Sequence, residues 1–407
     1  MTIGIRSKLS FMMFLEFFIW GAWFVTLGTF LDKTLHATGA QSGEVFSTQS
    51  WGAIIAPFII GLIADRYFNA EKILGVLHLV GAALMYQMYT AVDVSVFYPY
   101  VLGYMVLYMP TLALVNSVSF NQMTDPEKEF SSIRIFGTAG WIIAGIAISY
   151  IFHWDSQEGI GQGMLKNTFL MAGIASAVLG VFSFTLPATP PKVAKGEKVS
   201  ISQVLGLDAL KLLKDPNYAI FFVASILICI PLAFYYQNAN SFLTDIKMDN
   251  PTGKMTIGQI SELLFLLCLP IFFKKAGFKW TILVGMLAWA VRYVLFAYGN
   301  AGDLSFMLLI GLALHGVCYD FFFVSGQIYT DSKAGVQYKS AAQGMITLAT
   351  YGVGMLIGFF VAGKISDSYN GPAGHDWRMI WLIPASIAVA VFLLFFLSFK
   401  EKKSTTE

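Results

Sequence analysis

The chain has 407 residues, of which 57% are apolar and only 12% are charged, whereas an ordinary soluble domain carries about 25% charged residues. This composition excludes a soluble protein, and the net charge of +2 is too small to indicate a nucleic-acid partner. Cys229, Cys268 and Cys318 lie in apolar runs, with neither a C-x-x-C pair nor a histidine at ligand spacing. We expect buried thiols rather than metal or redox groups.

Twelve apolar stretches follow one another along the chain, separated by short polar, Gly or Pro breaks. Their residues are 9–31, 44–67, 72–91, 96–119, 130–152, 167–187, 216–238, 256–274, 280–298, 305–330, 341–363 and 378–399. A membrane-spanning helix needs about 20 such residues. The first stretch resembles a signal peptide, but Glu16 and the lack of a small-x-small cleavage site favour a retained helix. The sequence predicts an all-α polytopic membrane protein with twelve transmembrane helices.

The longest polar segment divides the stretches into two groups of six. Its prolines and lysines suit an exposed linker. Pro57 and Pro270 each precede a basic turn and the start of another apolar stretch, which suggests two related halves, as in many secondary transporters. The predicted parts are an N-terminal six-helix bundle (1–187), a cytoplasmic linker (188–215), a pseudo-symmetric C-terminal six-helix bundle (216–399) and a cytoplasmic tail (400–407).

Lysines and arginines are distributed unequally between the two sides of the predicted membrane. If the N-terminus is cytoplasmic, 19 of the 26 lie on that side and six on the other, with Arg292 inside a span. Because positive residues concentrate on the cytoplasmic side, the sequence predicts two cytoplasmic termini in a bacterial inner membrane.

Motifs of nucleotide-driven pumps and of common enzymes are absent from the sequence. There is no G-x-x-x-x-G-K-[ST], H-E-x-x-H or G-x-S-x-G. We therefore expect neither an enzyme nor a cofactor, and expect an ion gradient to drive transport.

The segment GLIADRYFNAEK at 61–72 resembles the loop signature of the major facilitator superfamily. Gly61 would permit close helix approach, while Asp65 and Arg66 would pair and exchange partners during conformational gating. The residues 68–70 depart from the basic residues usual there. An ordinary basic turn is the alternative interpretation.

Several longer blocks resemble the bacterial nucleoside:proton symporters of that superfamily. They are FIWGAWFVTLGTF (18–30), YMPTLALVNSVSF (108–120), IRIFGTAGW (133–141), VLGLDALKLLK (204–214), GQISELLFLLCLP (258–270), AWAVRYVLFAYG (288–299) and HGVCYDFFFVSG (315–326). The resemblance implies a monomeric importer in the lipid bilayer that moves nucleosides with protons by alternating access around a midplane cavity.

Arg134, Thr138 and Trp141 are spaced i, i+4 and i+7, so they share one helix face. An arginine in or near a span is costly and is expected to face a cavity. The resemblance implies that the matching residues, with Phe in place of Trp141, bind substrate. The alternative is that Arg134 extends to the cytoplasmic headgroups.

Gln259 and Glu262 also share a helix face, before an uninterrupted apolar run. A carboxyl in hydrocarbon is a functional candidate by default, and the resemblance implies that both residues contact nucleoside. Glu262 is a candidate for substrate binding, proton coupling or both. A structural ion pair with Arg134 or Arg292 is the alternative.

On the tenth stretch, His315 and Tyr319 lie on one face, and the neighbouring Asp320 is a second proton-coupling candidate. The two aromatic groups could stack on a nucleobase, although the similar proteins have Tyr and Phe at these positions, which leaves base preference open. Ordinary core packing is the alternative. Arg292 is predicted to form an internal ion pair with Asp320.

The seventh stretch departs most from the family pattern. Ala233 and Tyr236 stand where the resemblance places a Gln and an Asn ligand, and Gln237 or Asn240 could substitute. The other candidate residues for the cavity are Asn116, Glu16 and Trp20. Amides also bond helix to helix in bilayers.

Two other functions fit part of these observations. A sugar or glycoside:proton symporter would use the same amides, carboxylates and stacking Trp. A non-transporting nutrient sensor would need an output domain, which the linker and the tail are too short to provide.

Overall fold

The computed structural model describes residues 1–60, 67–191 and 207–400. The predicted gating residues Gly61, Asp65 and Arg66 lie outside these ranges, as does most of the predicted linker. Their proposed role stays a prediction.

The helices of the first half carry the labels α1 to α8. They are α1 (Ile3–Gly21), α2 (Leu27–Lys33), α3 (Gly39–Ile59), α4 (Ala70–Thr90), α5 (Val94–Asn121), α6 (Pro126–Ile146), α7 (Gln157–Gly161) and α8 (Asn167–Ser183). A π-helical segment, Ala147–Ile151, extends α6, and a 3₁₀ turn, Met164–Lys166, precedes α8.

The second half begins with a 3₁₀ segment, Leu207–Lys214. Its helices are α9 (Pro216–Asp245), α10 (Pro251–Tyr298), α11 (Ser305–Tyr319), α12 (Ser325–Thr347), α13 (Met355–Ser368) and α14 (Trp377–Ser398). π-helical segments Asp320–Val324 and Leu348–Gly354 follow α11 and α12. A short antiparallel pair, β1 (Asn370–Gly371) and β2 (Gly374–His375), sets Asn370 opposite His375.

Within the described residues, nine helical segments are long and apolar enough to cross a membrane. One of them, α10, has 48 residues and is divided at Gly277, whose φ of 76° is not helical. A second break lies at Gly335 in α12, with a φ of 63°. The positive φ explains the glycine at both breaks, because other residues rarely adopt it. Together with α1 and α3, these segments are consistent with the twelve predicted spans.

The chain forms two compact units. Unit 1 contains 1–204 together with 236–256, and unit 2 contains 205–235 together with 257–407. The end of α9 and the start of α10 therefore pack with helices of the first half. The predicted domain division at 188–215 stays a prediction.

In unit 1, α1 packs along α6, α4 along α8, and α3 along α5. The closest approach of α1 and α6 is at Gly140, where a Cβ would meet the carbonyl oxygen of Phe14. Trp23 and Tyr104 form an edge-to-face pair in the core, with ring centroids 5.5 Å apart.

In unit 2, small residues likewise allow close packing. A Cβ on Gly316 of α11 would lie 2.6 Å from the carbonyl oxygen of Ser261 in α10. On α14, Trp381 stacks on Tyr293 of α10 at 5.4 Å between centroids. Tyr293 in turn donates its hydroxyl hydrogen to the carbonyl of Pro231 in α9 at 2.5 Å.

The α1–α6 contact can be tested with Gly140→Ala. We expect this change to lower the free energy of unfolding by about 1–3 kcal/mol, because the added methyl group overpacks a backbone contact. The control is Gly344→Ala in α12, where a Cβ would meet nothing within 4 Å. Alanine there should be neutral or stabilising by up to about 1 kcal/mol. Thermal unfolding followed by tryptophan fluorescence measures both, and equal melting temperatures would contradict the packing argument.

Candidate substrate and proton sites

The predicted residues of α6 lie beside α1. The guanidinium carbon of Arg134 is 4.1 Å from the ring centroid of Phe17. Trp141 meets Trp20 edge to face at 5.5 Å. Thr138, between them in sequence, is half-buried, as are the other four residues. The side chains of Phe17, Trp20, Arg134, Thr138 and Trp141 are called the α1–α6 face below.

This face offers unused hydrogen-bond donors next to flat rings. The indole Nε1 of Trp20 is buried and has no hydrogen-bond partner within the described residues. The Arg134 guanidinium lies over the Phe17 ring, and the ion pair suggested between Glu262 and Arg134 stays a prediction. Aromatic rings and free donors suit a solute with a planar ring and hydroxyl groups. Asn116 lies half-buried on α5.

Gln259 and Glu262 are half-buried on α10, close to α11. The amide of Gly316 donates to Ser261 Oγ at 3.0 Å. A Cβ on Gly258 would lie 3.2 Å from Cβ of His315. The two helices therefore bring Gln259 and Glu262 to the level of His315.

His315 is part of a packed cluster with Arg292 and Tyr235. Arg292 Nη1 lies 3.1 Å from His315 Nδ1, and the guanidinium carbon lies 3.6 Å from the centroid of the Tyr235 ring. His315 is only 3% exposed and stacks on Tyr235 at 5.4 Å. Because the guanidinium can only donate, Nδ1 accepts and the ring hydrogen is on Nε2.

The predicted ion pair between Arg292 and Asp320 is wrong. Within the described residues, Arg292 Nε and Nη2 have no hydrogen-bond partner, and neither has Asp320 Oδ2. Arg292 is instead stabilised by the imidazole and by the face of the Tyr235 ring, which can hold a buried cation. This contact was not expected, because sequence spacing does not show which face of α9 meets α10.

Tyr319 and Asp320 differ in their surroundings. The Tyr319 hydroxyl lies 2.6 Å from that of Tyr351. Asp320 is 1% exposed, begins a π-helical segment and interacts electrostatically with Glu262. A charge on one of these carboxyl groups opposes a charge on the other. A proton on either removes that repulsion.

The candidates Tyr236, Gln237 and Asn240 of the seventh stretch all lie in unit 1. Tyr236 contacts Phe24 edge to face at 5.9 Å. Gln237 is 2% exposed, and its Nε2 lies 3.4 Å from the carbonyl oxygen of Gly39. Asn240 accepts from Thr29 at 2.6 Å and donates to Thr252 at 3.0 Å. Gln237 and Asn240 thus take part in helix packing inside unit 1.

A buried carboxylate caps the start of α10. Asp155 is 2% exposed, and its Oδ2 accepts the Ser149 hydroxyl at 2.5 Å and the Thr252 amide at 3.0 Å. Ser149 Oγ accepts the Gly253 amide at 2.7 Å. Free amides at a helix N-terminus need such acceptors. This cap could not be predicted from the sequence, since Asp155 and the amide that it accepts are about a hundred residues apart.

Nearby, Lys33 adds an ion pair to the same region of unit 1. Its Nζ lies 2.7 Å from Asp245 and 2.9 Å from Asp32. Gln157 donates to the carbonyl oxygen of Thr244 at 3.0 Å. The segment 236–256 is therefore attached to first-half helices by charged and neutral contacts at several points.

A second buried polar cluster lies behind the α1–α6 face. Glu16 Oε2 is 2.8 Å from His78 Nε2, and Glu16 Oε1 accepts the Thr111 hydroxyl at 2.6 Å. Glu16 is fully buried, and His78 is 2% exposed. Glu16 was predicted to lie in the cavity, whereas His78 was not among the predicted residues. An ionisable residue in the apolar run 72–91 was the available signal.

Comparison with known proteins agrees with this architecture. The family described as "Nucleoside H+ symporter" matches residues 3–404. YegT of Escherichia coli (strain K12) is 42% identical, covering 97% of this chain and 94% of its own. The xanthosine permease of the same organism is 33% identical, covering 98% and 96% respectively. The crystal structure of the nucleoside transporter NupG superposes with a TM-score of 0.85 at 30% identity, covering 98% of this chain and 100% of that one.

The helical architecture and the full-length match to a solved transporter define a polytopic membrane transporter of the major facilitator type. The chain belongs to the nucleoside H+ symporter family. The resemblance noted in the sequence is thereby confirmed.

The Asp155 cap can be tested with Asp155→Asn. We expect amide hydrogen exchange at Thr252 and Gly253 to become about 5- to 100-fold faster, because a lost charged acceptor costs about 1–3 kcal/mol. The control is Asp93→Asn, which removes the charge of an exposed cap that accepts the Val96 amide at 3.0 Å. It should speed exchange at Val96 alone, and unchanged exchange at Thr252 in Asp155→Asn would contradict the capping role.

Proposed function

We propose that this protein imports nucleosides together with protons, by alternating access, across a bacterial inner membrane. Membership of the nucleoside H+ symporter family carries this proposal. The proposed orientation has both termini in the cytoplasm, in agreement with the charge bias of the loops. The transporter works as a monomer without a cofactor, and the proton gradient supplies the energy.

Each predicted group provides chemistry that a nucleoside requires. Trp20 and Trp141 offer aromatic faces for the base, and Arg134 and Thr138 offer hydrogen bonds for its edge or the ribose. In unit 2, Gln259 and Glu262 can bind ribose hydroxyls. His315 and Tyr319 offer further aromatic faces in unit 2. In unit 1, Tyr236 offers an aromatic face, and Asn116 and Gln237 offer amide hydrogen bonds.

Glu262 and Asp320 are the proposed proton-coupling residues. Asp320 is buried with an unpartnered oxygen, and the two carboxyl groups interact. Binding a proton to either group lowers the cost of keeping charge in a membrane interior. Proton movement along the gradient can then drive the change of the loaded transporter from its outward-open to its inward-open state.

Reconstituted protein with an imposed pH gradient tests the coupling. We expect Glu262→Gln and Asp320→Asn to reduce gradient-driven accumulation of labelled uridine and adenosine at least about tenfold, since an amide cannot carry the proton. The control is Glu158→Gln, an exposed carboxyl that bonds to Gln162. Undiminished accumulation by a variant would remove that residue from the proton role.

Substitution of Arg134 tests the substrate face. We expect Arg134→Gln to weaken nucleoside binding about 10- to 150-fold, corresponding to the about 1.5–3 kcal/mol of a hydrogen bond to a charged group. Quenching of tryptophan fluorescence is the measurement, because Trp20 and Trp141 flank the site. Arg378→Gln is the control. Arg378 lies at the start of α14, and its guanidinium is over the ring of Tyr298, at the end of α10. Equal affinities would place Arg134 outside the binding face.

Competition and flux separate the alternatives. A sugar or glycoside symporter would release labelled substrate to disaccharides and not to nucleosides. A non-transporting sensor would bind nucleoside without moving it into liposomes. Concentrative uptake that nucleosides inhibit supports the proposed function against both.

A further inference from the structure

The cluster around Glu16 joins four helices of unit 1 through buried polar groups. Glu16 is on α1, His78 on α4, Thr111 on α5 and Ser176 on α8. All four side chains are 2% exposed or less. His78 Nδ1 lies 3.1 Å from Ser176 Oγ, and that oxygen also lies 2.9 Å from the carbonyl oxygen of His78. Ser176 can therefore point its single hydroxyl hydrogen at either atom.

When His78 carries a proton on both ring nitrogens, every polar group of the cluster has a hydrogen-bond partner. The His78 imidazolium donates from Nε2 to the Glu16 carboxylate and from Nδ1 to Ser176 Oγ, and the Ser176 hydroxyl donates to the His78 carbonyl. The Thr111 hydroxyl donates to Glu16 Oε1. No donor is left over.

With one proton fewer, the cluster is again satisfied. The proton leaves Nδ1, the Ser176 hydroxyl rotates to donate to the exposed lone pair, and Nε2 still donates to the carboxylate. The His78 carbonyl oxygen loses its bond from Ser176 but keeps its bond within the helix, since His78 lies inside α4. Gain and loss of one proton thus require the rotation of one hydroxyl group and no movement of a helix. Because an unsatisfied buried polar group is costly, two complete bonding patterns allow the cluster to exist with or without the added proton.

We propose that Glu16, His78 and Ser176 form a second proton-binding site of the transporter, with the proton entering and leaving at His78 Nδ1. Its use in coupling rests on the proposed function as a proton symporter. The site holds no net charge with the proton bound and one negative charge without it. The site is distinct from the Glu262 and Asp320 pair, which lies in the other unit.

The cluster touches the α1–α6 face directly. Tyr108 donates its hydroxyl hydrogen to the carbonyl oxygen of Glu16 at 2.7 Å, and its ring meets Trp20 at 5.6 Å. Phe17, the residue after Glu16, lies under the Arg134 guanidinium.

The other titratable or charged groups that face the cluster are few. Tyr104 stacks on Tyr108 at 5.5 Å, and α6 contributes Arg134. The negative charge of the deprotonated cluster would attract Arg134 toward α1. Proton release would therefore alter how the face holds a substrate.

The first test observes the proton itself. Protein with ¹⁵N-labelled histidine contains five imidazole rings, each with an Nδ1 and an Nε2 signal, and the two ring signals lost in His78→Gln identify His78. We expect Nδ1 of His78 to occur in two forms, one that carries the proton and donates to Ser176 Oγ and one that accepts from it. In Glu16→Gln the imidazolium loses its counter-ion, so the form with the added proton should be lost. A native His78 found in only one form would overturn the proposal.

The second test observes coupling in proteoliposomes. Glu16→Gln and Ser176→Ala should each lower the uridine accumulation driven by a pH gradient at least about tenfold, which corresponds to about 1.4 kcal/mol. Ser176→Ala should retain uridine exchange without a gradient, because Ser176 is not one of the substrate-binding candidates. Ser183→Ala is the matched control, because that buried serine on the same helix bonds only the carbonyl oxygen of Leu179, at 2.7 Å. It should keep both activities.

The outcomes separate the two claims. Native-like accumulation by Glu16→Gln and Ser176→Ala would overturn the coupling role of the cluster and leave the proposed function standing. If the native protein accumulates no nucleoside under a gradient, the proposed function fails, and the two forms of His78 Nδ1 then decide the proton site alone.

Discussion

The cost of a polar group inside a bilayer governs this structure. Each such group either finds a partner within the protein or faces a place where a solute or water can bind it. Glu16 has His78 and Thr111, Arg292 has His315 and the face of Tyr235, and Asp155 has the first amides of α10. These contacts fix the position of each helix along its neighbour, which apolar packing alone would leave unspecified.

Against this background, the groups without strong partners are informative. Trp20 Nε1 and Asp320 Oδ2 are buried and have no hydrogen-bond partner within the described residues. Arg134 rests on an aromatic ring. Glu16, by contrast, has a hydrogen-bond partner on each of its carboxylate oxygens. The open bonding capacity of Trp20 and Asp320 is what a binding or proton-carrying role requires.

Much of the helical layout could be predicted from the sequence, because a membrane span depends mainly on local apolar length. Spacing also predicted which residues share a helix face, as for Arg134 and Trp141. Contacts between distant segments could not be predicted in this way. The partner of Arg292 depends on which face of α9 meets α10, and the cap at Asp155 joins residues about a hundred positions apart. His78 was visible as a lone ionisable residue, but its partner on α1 was not.

The assignment of 236–256 to unit 1 follows from where its polar groups find partners and not from chain order. Asp155 accepts an amide of the first turn of α10, Asn240 accepts the Thr29 hydroxyl, and Lys33 pairs with Asp245. Each of these contacts joins the segment to the first half of the chain. Because a buried polar group without a partner is costly in a membrane interior, these contacts determine the boundary of unit 1 more specifically than apolar packing can.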